Sequence, residues 1–154
     1  MTAYLDIEDA LQVVDRYGFH IRDVSLLASA LARPATTVKG AEAYPDLALK
    51  AAALLESVAR FHPLIDGNLR TAWTLMVLLL WVNGYRHDFT SDEGFELVVG
   101  VAAGAIELRD SAAKISRHLV TRQPKGAVSQ PPARCGKGCG TPGCGRPAGP
   151  NRRG

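Results

Sequence analysis

Apolar positions recur at three- and four-residue spacing along most of the first 120 residues, and that spacing predicts six helices. In residues 6–17, Ile7, Ala10, Leu11, Val14 and Tyr17 share one stripe, Glu8 and Asp9 suit the first turn, and Gly18 closes the helix. A second helix follows Asp23 as N-cap, carries Val24, Leu27, Ala28 and Leu31 on one stripe, and ends before Pro34, which disfavours helix at the residue preceding it. The third, residues 46–61, has a wide apolar face of Leu47, Ala51, Leu54, Leu55, Val58 and Phe61, with Lys50, Glu56 and Arg60 outside it. The fourth, residues 68–83, is apolar almost all round from Trp73 to Val82. Arg70 and Gly84 bracket a run shorter than the roughly twenty apolar residues of a membrane span, which predicts the buried central helix of a bundle, stopped at Gly84. The fifth takes Thr90 or Ser91 as its cap, with Asp92 and Glu93 in the first turn, Phe95, Val98, Val99 and Ala102 inward, and Gly104 near its end. The sixth, residues 108–119, turns Ala112, Ile115 and Leu119 inward and pairs Asp110 with Lys114 on the surface.

Residues 33–44 break the helical pattern. Thr36, Thr37 and Val38 are β-branched and Gly40 follows, which suits a loop or a short hairpin. No other stretch reads as a strand, so the predicted fold class is all-α. A chain of 154 residues, 47% apolar and 21% charged, is ordinary globular material for one domain. The charge is uneven. Residues 1–120 hold every acid, whereas residues 121–154 carry seven Lys and Arg, many Gly and Pro, and almost no large apolar side chain. Such a tail cannot bury enough surface to offset chain entropy and is predicted to be disordered, leaving a helical domain at 1–120. The acidic N-terminus lacks the basic and apolar regions of a secretory signal, so a cytoplasmic location with no membrane contact is expected. The tail's cations suit weak, sequence-independent nucleic-acid contact, although it has no aromatic residue to stack on bases. Its Cys135, Cys139 and Cys144 lack the fourth ligand of a structural zinc site, and an odd count argues against a disulfide framework.

The chemistry concentrates between the third and fourth helices, in the string HPLIDGNLR at residues 62–70. A loop ending at a helix start meets unpaired N–H groups at the positive end of the macrodipole, a ready anion site. Gly67 permits close backbone approach to a ligand. Asn68 is a favoured N-cap whose amide can also bond a phosphate oxygen, and Arg70 offers a fork of donors matched to phosphate. Asp66 supplies one hard oxygen ligand, enough for a magnesium ion that takes its other ligands from phosphates and water. His62, at the other end of the loop, is the residue type suited to take the proton of an attacking hydroxyl. Singly, each has an ordinary explanation: a turn histidine, a turn dipeptide, a helix cap, a solvated arginine. Together, at these offsets and ahead of an apolar helix, they point to phosphate handling. His20, His87 and His118 have no such company and are given no chemistry.

This string resembles the Fic and Doc signature His-x-Phe-x-Asp/Glu-Gly/Ala-Asn-Gly/Lys-Arg, and its death-on-curing branch more closely. The upstream ALARP, the downstream RTA and NGY, and the later VVGVAAG are similar to that branch too, so the likeness covers roughly residues 4–119. Trp73 stands where Fic enzymes proper usually carry a second arginine. Two positions depart from the pattern: Leu64 replaces the aromatic residue, and Leu69 replaces glycine or lysine.

The resemblance implies a compact helical bundle, with residues 33–44 as a flap beside the catalytic loop that pairs with a target segment by strand addition. A plain surface connection is the other reading of that stretch. The activity implied is that of a toxin in a toxin–antitoxin pair. It would transfer a phosphate-containing group from ATP, with Mg2+, to a Ser or Thr hydroxyl of a protein, elongation factor Tu being the known kind of target in this branch. Phosphorylation is the expected form and AMP transfer the other. His62 would be the base, Arg70 a catalytic donor, Asp66 the metal ligand, and Gly67, Asn68 and Arg70 the phosphate cradle. A separate antitoxin is expected, because the Ser/Thr-x-x-x-Glu-Gly/Asn string of self-inhibited relatives is absent. The alternative is a binding module, for antitoxin, nucleotide or DNA, in which Leu69 has disabled transfer.

Overall fold

A computed structural model describes residues 1–122. Among them are six α-helices: α1 (Ile7–Tyr17), α2 (Val24–Ala32), α3 (Leu47–Phe61), α4 (Asn68–Val82), α5 (Ser91–Ala102) and α6 (Leu108–Arg117). The expected all-helical bundle is therefore present, with two small additions of strand. The basic tail from residue 123 onward, with its expected disorder, its three cysteines and its nucleic-acid contact, lies outside the described residues.

Local chemistry sets most boundaries. Asp6 and Asp9 cap α1 reciprocally: the Asp9 N–H donates to Asp6 Oδ1 at 2.9 Å and the Asp6 N–H to Asp9 Oδ2 at 3.2 Å. Gly18, at φ 70°, ends the helix. The Asp23 carboxylate accepts from the Ser25 and Leu26 N–H groups at the start of α2. Of the two candidates for α5, Thr90 is the cap, in a capping box with Glu93. The hydrogen bonds that Thr90 donates from its N–H and hydroxyl hold the Glu93 carboxyl below its ordinary value.

The centre of the bundle is α3, not the apolar α4. Ten of its fifteen residues are buried, and it packs on α2, α4, α5 and α6 together. Ala48, Ala51, Ala52, Ala53 and Ala59 let those neighbours approach on several sides, while Leu54, Leu55 and Val58 fill the space between them, each contributing about 1.5 to 3 kcal/mol by burial. Helix α4 buries Ala72, Leu75, Met76, Leu79 and Leu80, but Leu69, Trp81 and Val82 are exposed. Of these three, Leu69 lines a cleft at the N-terminal end of the helix.

Residues 33–44 form the hairpin alternative. Strands β1 (Thr37–Val38) and β2 (Ala41–Glu42) pair antiparallel, and Lys39 and Gly40 both take positive φ, as a two-residue hairpin turn of the primed type requires. Both strands are exposed. The hairpin's base is tied to α3. Lys50, only 1% exposed, donates to the Tyr44 carbonyl at 2.7 Å and reaches Glu42 at 3.2 Å, and Arg33 donates to Tyr44, Ser57 and Glu56.

A second strand pair was not legible in the sequence. The sixth helix stops at Arg117 rather than at residue 119, and β4 (Leu119–Thr121) pairs antiparallel with β3 (Tyr85–His87). Thr121, placed by composition in the tail, belongs to this ladder. Arg122 continues it, donating its N–H to the Gly84 carbonyl at 2.8 Å and laying its guanidinium 4.1 Å from the Trp81 ring centroid. Three-residue strands are too short for their alternation to be visible. No helix of the described residues is long and apolar enough to cross a membrane.

Candidate functional site

The site begins where α3 is forced to stop. His62 takes the left-handed conformation, φ 49° and ψ 58°, at the C-cap, and Pro63 cannot continue the helix. A non-glycine residue here costs about 1 to 2 kcal/mol, and such strain persists where the surroundings hold it. They do so through the α1–α2 connection. Pro63's carbonyl accepts from the Arg22 and Asp23 N–H groups at 2.9 and 3.0 Å, the Ile65 N–H donates to the His20 carbonyl at 2.9 Å, and Ile21 and Leu64 form a β-bridge. Leu64, standing where the signature has an aromatic residue, is fully buried and anchors the loop from below.

Asn68 corrects the expectation from sequence. The N-cap of α4 is Gly67, at φ 74°, and Asn68 is the first helical residue. Its side chain turns back to the loop, accepting from the Leu64 N–H at 2.9 Å and donating to the Leu64 carbonyl at 3.0 Å. Both ends of the amide brace the loop, so its side chain helps to set the loop's shape. With no side-chain cap, the leading N–H groups of α4 remain available at the cleft. Gly67 is required twice over: its φ is positive, and a Cβ there would collide with the ring of Phe19.

His62, Asp66, Gly67, Asn68 and Arg70 all line one cleft of about 1050 Å³. The structure therefore brings all five of these residues to one cleft. Asp66 is exposed, and one oxygen accepts from the Gly67 N–H at 2.6 Å while the other is uncommitted. A single carboxylate with one free oxygen fits magnesium, which retains water and phosphate oxygens as its other ligands. No cluster of three metal-ligating side chains occurs among the described residues. Arg70 is exposed over the Tyr17 ring, and Leu69, 37% exposed, sits between Asn68 and Arg70 and also lines the cleft.

The apolar lining was missed. Phe19 from the α1–α2 connection, Trp73 from α4, His87 from β3, Phe89 from the β3–α5 loop, and Phe95, Val98 and Val99 from α5 line the cleft. His87, given no chemistry from sequence, packs on Trp73 and Phe89 with ring centroids 5.1 and 5.9 Å apart, and its Nδ1 is buried without a partner. Burial pushes its pKa down, with Asp88 opposing and His118 reinforcing, so it is a neutral aromatic wall. Behind it, His118 stacks on Phe89 at 3.9 Å and bonds Asp88 at 2.8 Å. Gly94 exists for this wall too, since a Cβ would meet Trp73 at 2.9 Å. These residues are brought together by the β3–β4 pair and by α5 packing on α4, contacts that leave no motif. None of residues 33–44 lines the cleft.

Comparison with known proteins agrees with this geometry. A model of the Fic/DOC family matches residues 3–80, the half of the chain that contains α1 to α3, the whole loop and most of α4. A curated relative, Toxin Doc of Mycolicibacterium smegmatis, is 45% identical over 128 residues, covering 80% of this chain and 98% of its own length. With the strained histidine, the Asp-Gly turn and the braced asparagine in the signature's positions, this chain belongs to the Fic/Doc family.

Proposed function

We propose that this protein is the toxin of a toxin–antitoxin pair and transfers a phosphate-containing group from ATP to a Ser or Thr hydroxyl of a target protein such as elongation factor Tu. The observation that carries this reading is the convergence of an exposed His62, a free Asp66 oxygen, the open N-terminus of α4 and Arg70 on one cleft. His62 would accept the hydroxyl proton as the new O–P bond forms. The leaving group would be ADP in phosphorylation, the preferred form, or pyrophosphate in AMP transfer. Backbone N–H groups of α4 and the Arg70 fork would hold the phosphate oxygens in place, so that catalysis is mainly positioning and electrostatics. Magnesium, held by Asp66, would supply charge neutralisation at the phosphates. The cleft, at about 1050 Å³, has room beyond a nucleotide. Its apolar wall of Trp73, Phe95 and Val99 suits an amphipathic antitoxin segment, which would cover His62 when docked.

A second reading has its own observation. Leu69 presents a branched apolar side chain to the cleft where the family has glycine or lysine, which favours a binding module without transfer. Incubation with labelled ATP, magnesium and cell extract decides between them. The proposal expects labelling of one protein band by the wild type and none by His62→Ala, with growth arrest following the same pattern. Equal labelling by both, or by neither, overturns transfer through His62.

A further inference from the structure

The two phosphate-binding features, the Gly67 backbone and the Arg70 guanidinium, rest on aromatic residues of another element. Tyr17, the last residue of α1, lies outside the cleft lining, and the Arg70 guanidinium stands over its ring, 5.9 Å from the centroid. The Tyr17 hydroxyl lies 3.2 Å from Thr74 Oγ1, which itself donates to the Arg70 carbonyl at 2.9 Å. On its other side Tyr17 stacks on Phe19 with centroids 5.5 Å apart, and Phe19 fills the space beside Gly67 that a Cβ would need. One side-chain chain therefore runs from Gly67 through Phe19, Tyr17 and Thr74 to Arg70.

We infer that Tyr17 is a positioning residue for Arg70: its ring holds the guanidinium at the mouth of the phosphate site without touching the ligand. The inference rests on the phosphate-transfer reading of the same cleft. An exposed arginine otherwise samples many rotamers, and ordering it on binding lowers affinity. A face-on ring beneath it, with the ring tied to the same helix turn through Thr74, bears part of that ordering before a ligand arrives.

A double-mutant cycle on the full chain tests this, with magnesium–ATP affinity measured calorimetrically and a thermal melt for each variant. Tyr17→Leu is expected to weaken binding about two- to fivefold, the range that a cation–π contact at an exposed site supports. Tyr17→Phe, which keeps the ring but loses the bond to Thr74, should lose less affinity than Tyr17→Leu. Arg70→Gln should weaken binding further, and adding Tyr17→Leu to it should have no additional effect. Because Tyr17 is 42% exposed, little change in melting is expected, and Tyr17→Gln replaces the leucine variant if that one is unstable. Equal losses from Tyr17→Leu in both backgrounds, or none in the wild-type background, overturn the inference while leaving the phosphate site standing. An unchanged affinity in Arg70→Gln overturns the phosphate site and the inference together.

Discussion

Replacing His62 by glycine should abolish transfer and make the protein more stable. His62 is exposed, so deleting its imidazole removes little buried surface, but its backbone is left-handed at φ 49°. That conformation costs an L-residue about 1 to 2 kcal/mol, and glycine is free of the cost. Glycine also gains about 0.5 to 1 kcal/mol of chain freedom when unfolded, which offsets part of the gain. At the midpoints of these ranges the net is a stabilisation of about 0.75 kcal/mol. For the 122 described residues an unfolding entropy near 2.1 cal/mol/K per residue converts this to a rise of about 3 °C in Tm. His62→Ala is the control. It loses the same imidazole but keeps a Cβ in the strained conformation, so its melting point should stay near that of wild type. Calorimetric melts of the three proteins, beside labelled-ATP transfer, give both axes. If His62→Gly melts at or below His62→Ala, the left-handed position is not strained and the stability argument fails. If both variants still transfer label, His62 is not the base.

Asn68→Ala should destabilise the fold by about 1 to 3 kcal/mol, because it strands the Leu64 N–H and carbonyl in the loop. An unchanged denaturation midpoint would mean that the side chain serves the ligand instead. Leu69→Lys should increase target phosphorylation, since one charge-assisted phosphate contact contributes about 1.5 to 3 kcal/mol. Leu69→Gly should favour AMP transfer by opening the backbone, and mass spectrometry separates the two products. A wild type faster than both variants would make Leu69 a working part of the site. Burial depresses the His87 pKa, so the unfolded chain binds that proton more readily; the stability this neutral ring contributes is complete above the unfolded pKa of about 6.5 and is lost as pH falls through the lower folded value. Denaturant melts of His87→Phe should therefore show a shallower loss below about pH 6.5 than wild type, and a parallel acid limb would refute the assignment.

The sequence by itself determined the helices and the loop between α3 and α4. Long amphipathic periods, caps such as Asp6, Asp23 and Thr90, and stops such as Gly18 are local properties, and each reads out where it is written. The same holds for the loop, where His62, Asp66, Gly67 and Arg70 lie within nine residues and share one cleft. Asn68 shows the limit, because a favoured cap residue was recruited as a brace once Gly67 took the cap position. Only the tertiary structure decided which helix is central. An alanine-rich α3 can be approached from several sides, and that property appears only when its neighbours are in place. The second wall of the cleft is non-local in the same way. Phe19, Trp73, His87 and Phe95 are distant in sequence and become one surface through a three-residue strand pair and the packing of α5 on α4, contacts whose partners are too far apart for any periodicity to record.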